Sequence, residues 1–258
     1  MTHTIALAGK GGVGKTTVTG ILINYLAAKK KGPILAVDAD ANSNLNEVLG
    51  MEVETTLGSI REEMARAALD PNSPIPPGMP KQDYAEMKFA EALIEGDDFD
   101  LLVMGRTQGE GCYCYVNCLL STQVSRYSGN YRYVVVDNEA GMEHISRGIL
   151  PRVDTVILVS DSSRRGIQAC ARIFELVKEL KLNPKQIKLL VNRAPGGVIS
   201  EGVMEEIRKS GMDLLAVLPQ DEDIYEFDGE GRPTSQLPED NAFRKALCAA
   251  LDKLDFDL

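Results

Sequence analysis

Residues 9–17 read Gly9-Lys10-Gly11-Gly12-Val13-Gly14-Lys15-Thr16-Thr17. Gly9, Gly14, Lys15 and Thr16 satisfy the spacing G-x-x-x-x-G-K-[ST], the pattern of a phosphate cradle. Glycines at 9, 11, 12 and 14 let backbone N–H groups, that of Val13 among them, turn around phosphate oxygens with no Cβ in the way. The Lys15 ammonium reaches a β- or γ-phosphate, and the Thr16 hydroxyl can ligate Mg²⁺, with Thr17 next to it. A helix opening here aims its positive end at the same anion. The expected ligand is ATP or ADP with Mg²⁺.

A second cluster is unusual in its residue type. Cys112, Cys114 and Cys118 fall within seven residues of GEGCYCYVNCLL, out of five cysteines in the chain. Residues two apart point in nearly opposite directions on a helix and share a side on a strand. If Cys112 and Cys114 act jointly, the segment is expected to be non-helical, as Gly109-Glu110-Gly111 favours. Two thiolates leave a zinc-type site incomplete, because closed sites take four ligands. A twofold axis between two copies would supply four. Cys118 is either a third ligand or a small buried apolar residue, and burial is preferred. Cys170 and Cys248 sit in helical patterns and are expected in the core.

These groups need elements to position them. Short apolar runs alternate with helical patterns along all 258 residues. Strands are expected at 4–8, 34–37, 101–104, 133–136, 155–159, 188–191 and 214–217, and helices at 16–30, 164–180 and 200–210. Strands apolar on both faces and alternating with helices specify an α/β fold: a doubly wound, mainly parallel sheet flanked by helices. The expectation is one ATPase domain over 1–258, with an inserted surface segment near 55–98 that contains the proline-rich loop 70–80.

With Lys10 ahead of Lys15, the cradle resembles the deviant Walker A motif of the MinD/ParA group, which includes the nitrogenase iron protein. That resemblance implies a P-loop ATPase in which Lys10 reaches a partner subunit's nucleotide, so that ATP holds a homodimer together. VDADANSNL (37–45) resembles the group's switch I, with Asp40 orienting the attacking water and Asp38 supporting the Mg²⁺ shell. VVVDNEAG (134–141) resembles Walker B with switch II, which puts Asp137 near the metal. Asn192-Arg193, and the loop AVLPQD with Pro219, resemble the adenine side of the site.

The Cys-Tyr-Cys segment, followed by DNEAGMEHISRG, is similar to the CooC-type ATPases that mature nickel carbon monoxide dehydrogenase and its acetyl-CoA synthase relatives. The resemblance covers nearly the whole chain. It implies that Cys112 and Cys114 bind Ni²⁺ or Zn²⁺ between two subunits, and that ATP turnover couples metal holding to delivery to the apo-enzyme. His144 is either an outer ligand or switch element or a structural hydrogen-bonding residue.

Competing classes are a spatial-positioning ATPase of the MinD/ParA type and an iron–sulfur carrier of the nitrogenase iron protein type. DNEAGMEHI lacks the switch II cysteine that the latter uses. A net charge of -10 argues against a nucleic-acid partner. No apolar run approaches the ~20 residues of a membrane span, and the N-terminus carries no secretory pattern. A cytoplasmic protein with reduced thiols and no membrane partner is expected. The tail carries Phe243, Leu247, Leu251 and Leu254 as an apolar stripe, which suits a helix packed on the domain.

Overall fold

A computed structural model describes residues 2–67, 74–106, 113–140 and 152–256. Among the described residues, eight strands form a single sheet in the order β3-β4-β2-β5-β1-β6-β7-β8. They are β1 His3–Gly9, β2 Ile34–Ala39, β3 Leu93–Ile94, β4 Asp100–Val103, β5 Tyr133–Asn138, β6 Thr155–Asp161, β7 Gln186–Ala194 and β8 Leu214–Pro219. All pair in parallel except β3, which runs antiparallel to β4 at one edge. The seven strands expected from apolar runs are all present. The two residues of β3 are too few to leave a pattern.

Nine helices are described: α1 Lys15–Ala28, α2 Leu45–Leu49, α3 Leu57–Ala67, α4 Lys81–Glu91, α5 Tyr113–Ser128, α6 Arg164–Glu179, α7 Glu201–Ser210, α8 Glu222–Glu230 and α9 Ala242–Leu251. They cover both sheet faces. On one, Leu7, Tyr133 and Val135 pack with Leu22 of α1 and Leu247 of α9. On the other, Val134 and Val136 pack with Leu57 of α3, Val116, Leu120 and Val124 of α5, and Ile167 of α6. Strand alternation sends odd residues of β5 to the first face and even ones to the second. That is why these strands are apolar throughout.

The segment near 55–98 does more than cover the surface, since Leu57 and Ile60 of α3 are buried in the core. Its residues 74–80 are exposed or half-buried, as the prolines lead one to expect. The tail stripe Phe243, Leu247, Leu251 and Leu254 is buried against the α1 face. No helix among the described residues is long and apolar enough to cross a membrane.

Candidate functional site

The cradle leaves β1 at Gly9, and β1 lies between β5 and β6. This is the carboxyl edge of a parallel sheet, where ligands of such folds lie. A Cβ at Gly9 would collide with the Val159 carbonyl oxygen of β6, so the turn demands glycine. Gly14 caps α1 with φ 89° and ψ 28°, a left-handed conformation that glycine adopts without strain.

Lys15 is 8% exposed, and its ammonium donates to the Lys10 carbonyl at 3.3 Å. Burial holds its pKa below the ordinary lysine value, against the pull of Asp137. The Lys10 residue is itself exposed. Thr16 donates its hydroxyl to Asp137 Oδ2 at 2.6 Å, and Thr19, one turn further along α1, donates to Asp137 Oδ1 at 3.3 Å. Burial pushes the Asp137 carboxyl up to about 6, against these hydroxyls and Lys15. A hydroxyl and a carboxylate oxygen in contact form a hard-oxygen set suited to Mg²⁺. A dication there would also keep this carboxyl ionised, so the residues fit the metal.

Asp38 is fully buried, and both its oxygens accept backbone N–H groups: Oδ1 from Asp40 at 3.0 Å and Oδ2 from Leu45 at 3.0 Å. It therefore folds the 38–45 loop around itself. Burial, then the neighbouring Asp137, pushes its pKa up to about 7. Asp40 is half-buried and accepts the Asn42 N–H at 2.8 Å.

Asn192 and Arg193 end β7 against the cradle. Asn192 donates from Nδ2 to the Val13 carbonyl at 2.8 Å, and Arg193 donates from Nη1 to the Gly12 carbonyl at 2.8 Å. They wall a cleft of about 680 Å³ with Gly14, Thr17, Pro219 and Tyr225. That volume lies in the range of small-molecule sites. Asn241, the N-cap of α9, donates to Asp221 at 3.0 Å and to Asp223 at 3.0 Å, which fixes the α8 wall of the cleft. Sequence reading missed Thr19, Tyr225 and Asn241. Thr19 could have been found, because it lies one helical turn from Lys15 and Thr16; Tyr225 lines the cleft, and Asn241 braces its wall, only through the fold.

Cys112, with His144, lies outside the described residues. Helix α5 begins at Tyr113, so Cys114 falls in its first turn, where an extended segment was expected. Cys118 is exposed, which corrects the preference for burial: it occupies the solvent side of α5, whose apolar stripe is Val116, Leu120 and Val124. Cys170 is buried and donates to the Val159 carbonyl, with its thiol pushed up to about 12 by burial. Cys248 is half-buried, not fully in the core. Among the described residues no group of three or more His, Cys, Asp and Glu side chains could hold a metal ion.

The chain is similar to several known proteins. Residues 4–234 match the CobQ/CobB/MinD/ParA nucleotide binding domain. An uncharacterised ATP-binding protein of Methanocaldococcus jannaschii is 42% identical over 250 residues, covering 97% of each chain. The carbon monoxide dehydrogenase accessory protein CooC of Rhodospirillum rubrum is 30% identical over 237 residues, covering 88% of this chain and 87% of its own. The septum site-determining protein MinD of Pyrococcus horikoshii, solved with Mg-ADP, superposes with a TM-score of 0.72 at 22% identity, covering 99% of this chain and 96% of that one. With the cradle, its Thr16–Asp137 contact and the adjoining cleft in place, the chain belongs to the CobQ/CobB/MinD/ParA nucleotide-binding family and is a P-loop ATPase.

Proposed function

We propose that this ATPase works as a homodimer that carries Ni²⁺ or Zn²⁺ on Cys112 and Cys114 and assists nickel insertion into carbon monoxide dehydrogenase or acetyl-CoA synthase. The similarity to the Rhodospirillum rubrum accessory protein supports the client class. The observation that carries the coupling is the bonding between the nucleotide loop and the strand leading to the cysteines. Met104 N–H donates to the Asp38 carbonyl at 2.9 Å, and the Arg106 guanidinium donates to Asn42 Oδ1. The loop organised by Asp38 is thus tied to the residues just before the cysteine segment.

In this reading Lys15 and the first turn of α1 hold the β- and γ-phosphates, and Thr16 with Asp137 holds the Mg²⁺. The bound metal supplies charge neutralisation at the phosphates. Asp40 orients the attacking water, Asn192, Arg193 and Pro219 take the adenine, and Lys10 reaches the nucleotide across the dimer. The thiolates of two subunits make a four-sulfur site whose geometry follows nucleotide state. The work is done in the cytoplasm.

The test replaces Cys112 and Cys114 with Ala and measures metal content and mass in solution, with and without nucleotide. Loss of bound metal and of metal-linked dimerisation, with ATP binding retained, is the expected result. Unchanged metal stoichiometry rejects the metal role. ATP-dependent sedimentation with liposomes would turn the reading to a MinD/ParA-type positioning ATPase, and visible absorption after anaerobic purification to an iron–sulfur carrier.

A further inference from the structure

Three buried carboxamides outside the nucleotide cleft, Asn117, Gln123 and Asn138, have polar atoms with no partner. Asn117 of α5 is 3% exposed, and neither its Nδ2 nor its Oδ1 makes a hydrogen bond. Asn138, the last residue of β5, is 2% exposed. Its Nδ2 donates to the Leu7 carbonyl at 2.7 Å, while its Oδ1 is unpartnered.

Topology brings both to the same layer. Asp137 faces α1 through Thr16 and Thr19. Asn138 therefore alternates to the other face, where Val134 and Val136 pack with Val116, Leu120 and Val124 of α5. Asn117, also buried, follows Val116 and precedes Leu120 by one turn at the start of that stripe. Helix α5 follows β4 and precedes β5, so it starts at the carboxyl end of the sheet and runs back along it. Its second turn, with Asn117, lies at the end where β5 delivers Asn138.

A buried amide without partners is costly, and natural interiors rarely leave one. An internal water needs two to four polar partners, and Asn117 with Asn138 offers three free atoms. We infer that Asn117 and Asn138 are positioning residues, linked through one internal water, that fasten the start of α5 to the strand carrying Asp137. Thr16, Asp137, Asn138 and Asn117 then form a continuous path from the phosphate cradle to α5. That α5 bears a metal-binding Cys114 rests on the function proposed above; the link between nucleotide and helix does not.

The test is hydrogen exchange of α5 amides in the full chain, with Mg-ADP and with Mg²⁺ and a non-hydrolysable ATP analogue. In the native protein, protection of α5 should differ between the two nucleotides. In Asn117→Leu the difference should vanish while both nucleotides bind with unchanged affinity, and Asn117→Ala, which demands less space, should behave alike. A difference that persists in either variant overturns the inference, as does its absence from the native protein. Metal content is read separately in the cysteine variants, so a failure here is distinguishable from a failure of the metal role.

Discussion

Asp38 and Asp137 are register partners on the adjacent parallel strands β2 and β5, with both carboxyls buried on the α1 side of the sheet. Burial raises the cost of ionising each, and a neighbouring acid adds to it: Asp137 at Asp38, and Asp40 at Asp137. Asp38 uses its oxygens to hold its own loop, while Asp137 holds the two threonine hydroxyls of α1. Two neighbouring acids thus do different jobs.

This pair makes stability depend on pH. Both carboxyls titrate above the ordinary aspartate value, at about 7 and about 6. Between roughly pH 4 and pH 7 the folded chain binds more protons than the unfolded one, so their contribution to stability falls as pH rises. Asp137→Asn removes one acid and relieves the other. In urea titrations without Mg²⁺, the variant should lose less stability than the native protein from pH 4.5 to 7.5. Parallel profiles would refute the coupling.

Gly9→Ala should destabilise the protein by more than about 1 kcal/mol, because the new Cβ meets a backbone oxygen that cannot move without distorting β6. Chemical denaturation measures this, and equal stability would contradict the close approach of Gly9 to Val159.

Lys15→Met should weaken ATP binding at least about tenfold, the equivalent of one charge-assisted hydrogen bond. The fold should survive, since the substitution removes a cation whose burial already lowers its pKa. Calorimetric titration and thermal unfolding separate the two effects.

Asn192→Ala removes the bond to the Val13 carbonyl, a loss of about 1–3 kcal/mol for a buried group left unpaired. Nucleotide affinity should fall with stability, because the same side chain braces the cradle and walls the cleft. A stability loss with full affinity would reduce Asn192 to a brace.

Lys10→Ala should keep nucleotide affinity, because the side chain is exposed and Lys15 uses only its backbone carbonyl. Hydrolysis and ATP-dependent dimerisation should both be lost if Lys10 acts across the interface. A monomer with full turnover would rule that role out.

Much of this protein was readable before folding. Glycine spacing marked the turn from β1 into α1, where Gly9 admits no Cβ and Gly14 takes a left-handed conformation. Apolar runs marked seven strands, because strands buried on both faces need uninterrupted hydrophobicity. The two-residue β3 and the buried helix face of the 55–98 segment left no such pattern. The exposure of Cys118 could not be read from its spacing to Cys114, because a helix face says nothing about which side meets the sheet.

The chain alone determined the chemistry on offer: a phosphate loop, acids at strand ends and a cysteine cluster. Only tertiary structure decided which groups meet. It set Asp38 beside Asp137 through strand register, placed Asn192 under the cradle from 179 residues away, and buried Asn117 and Asn138 with polar atoms unpartnered. Local pattern fixes what a residue can do, whereas contacts this distant in sequence arise only when the sheet orders its strands.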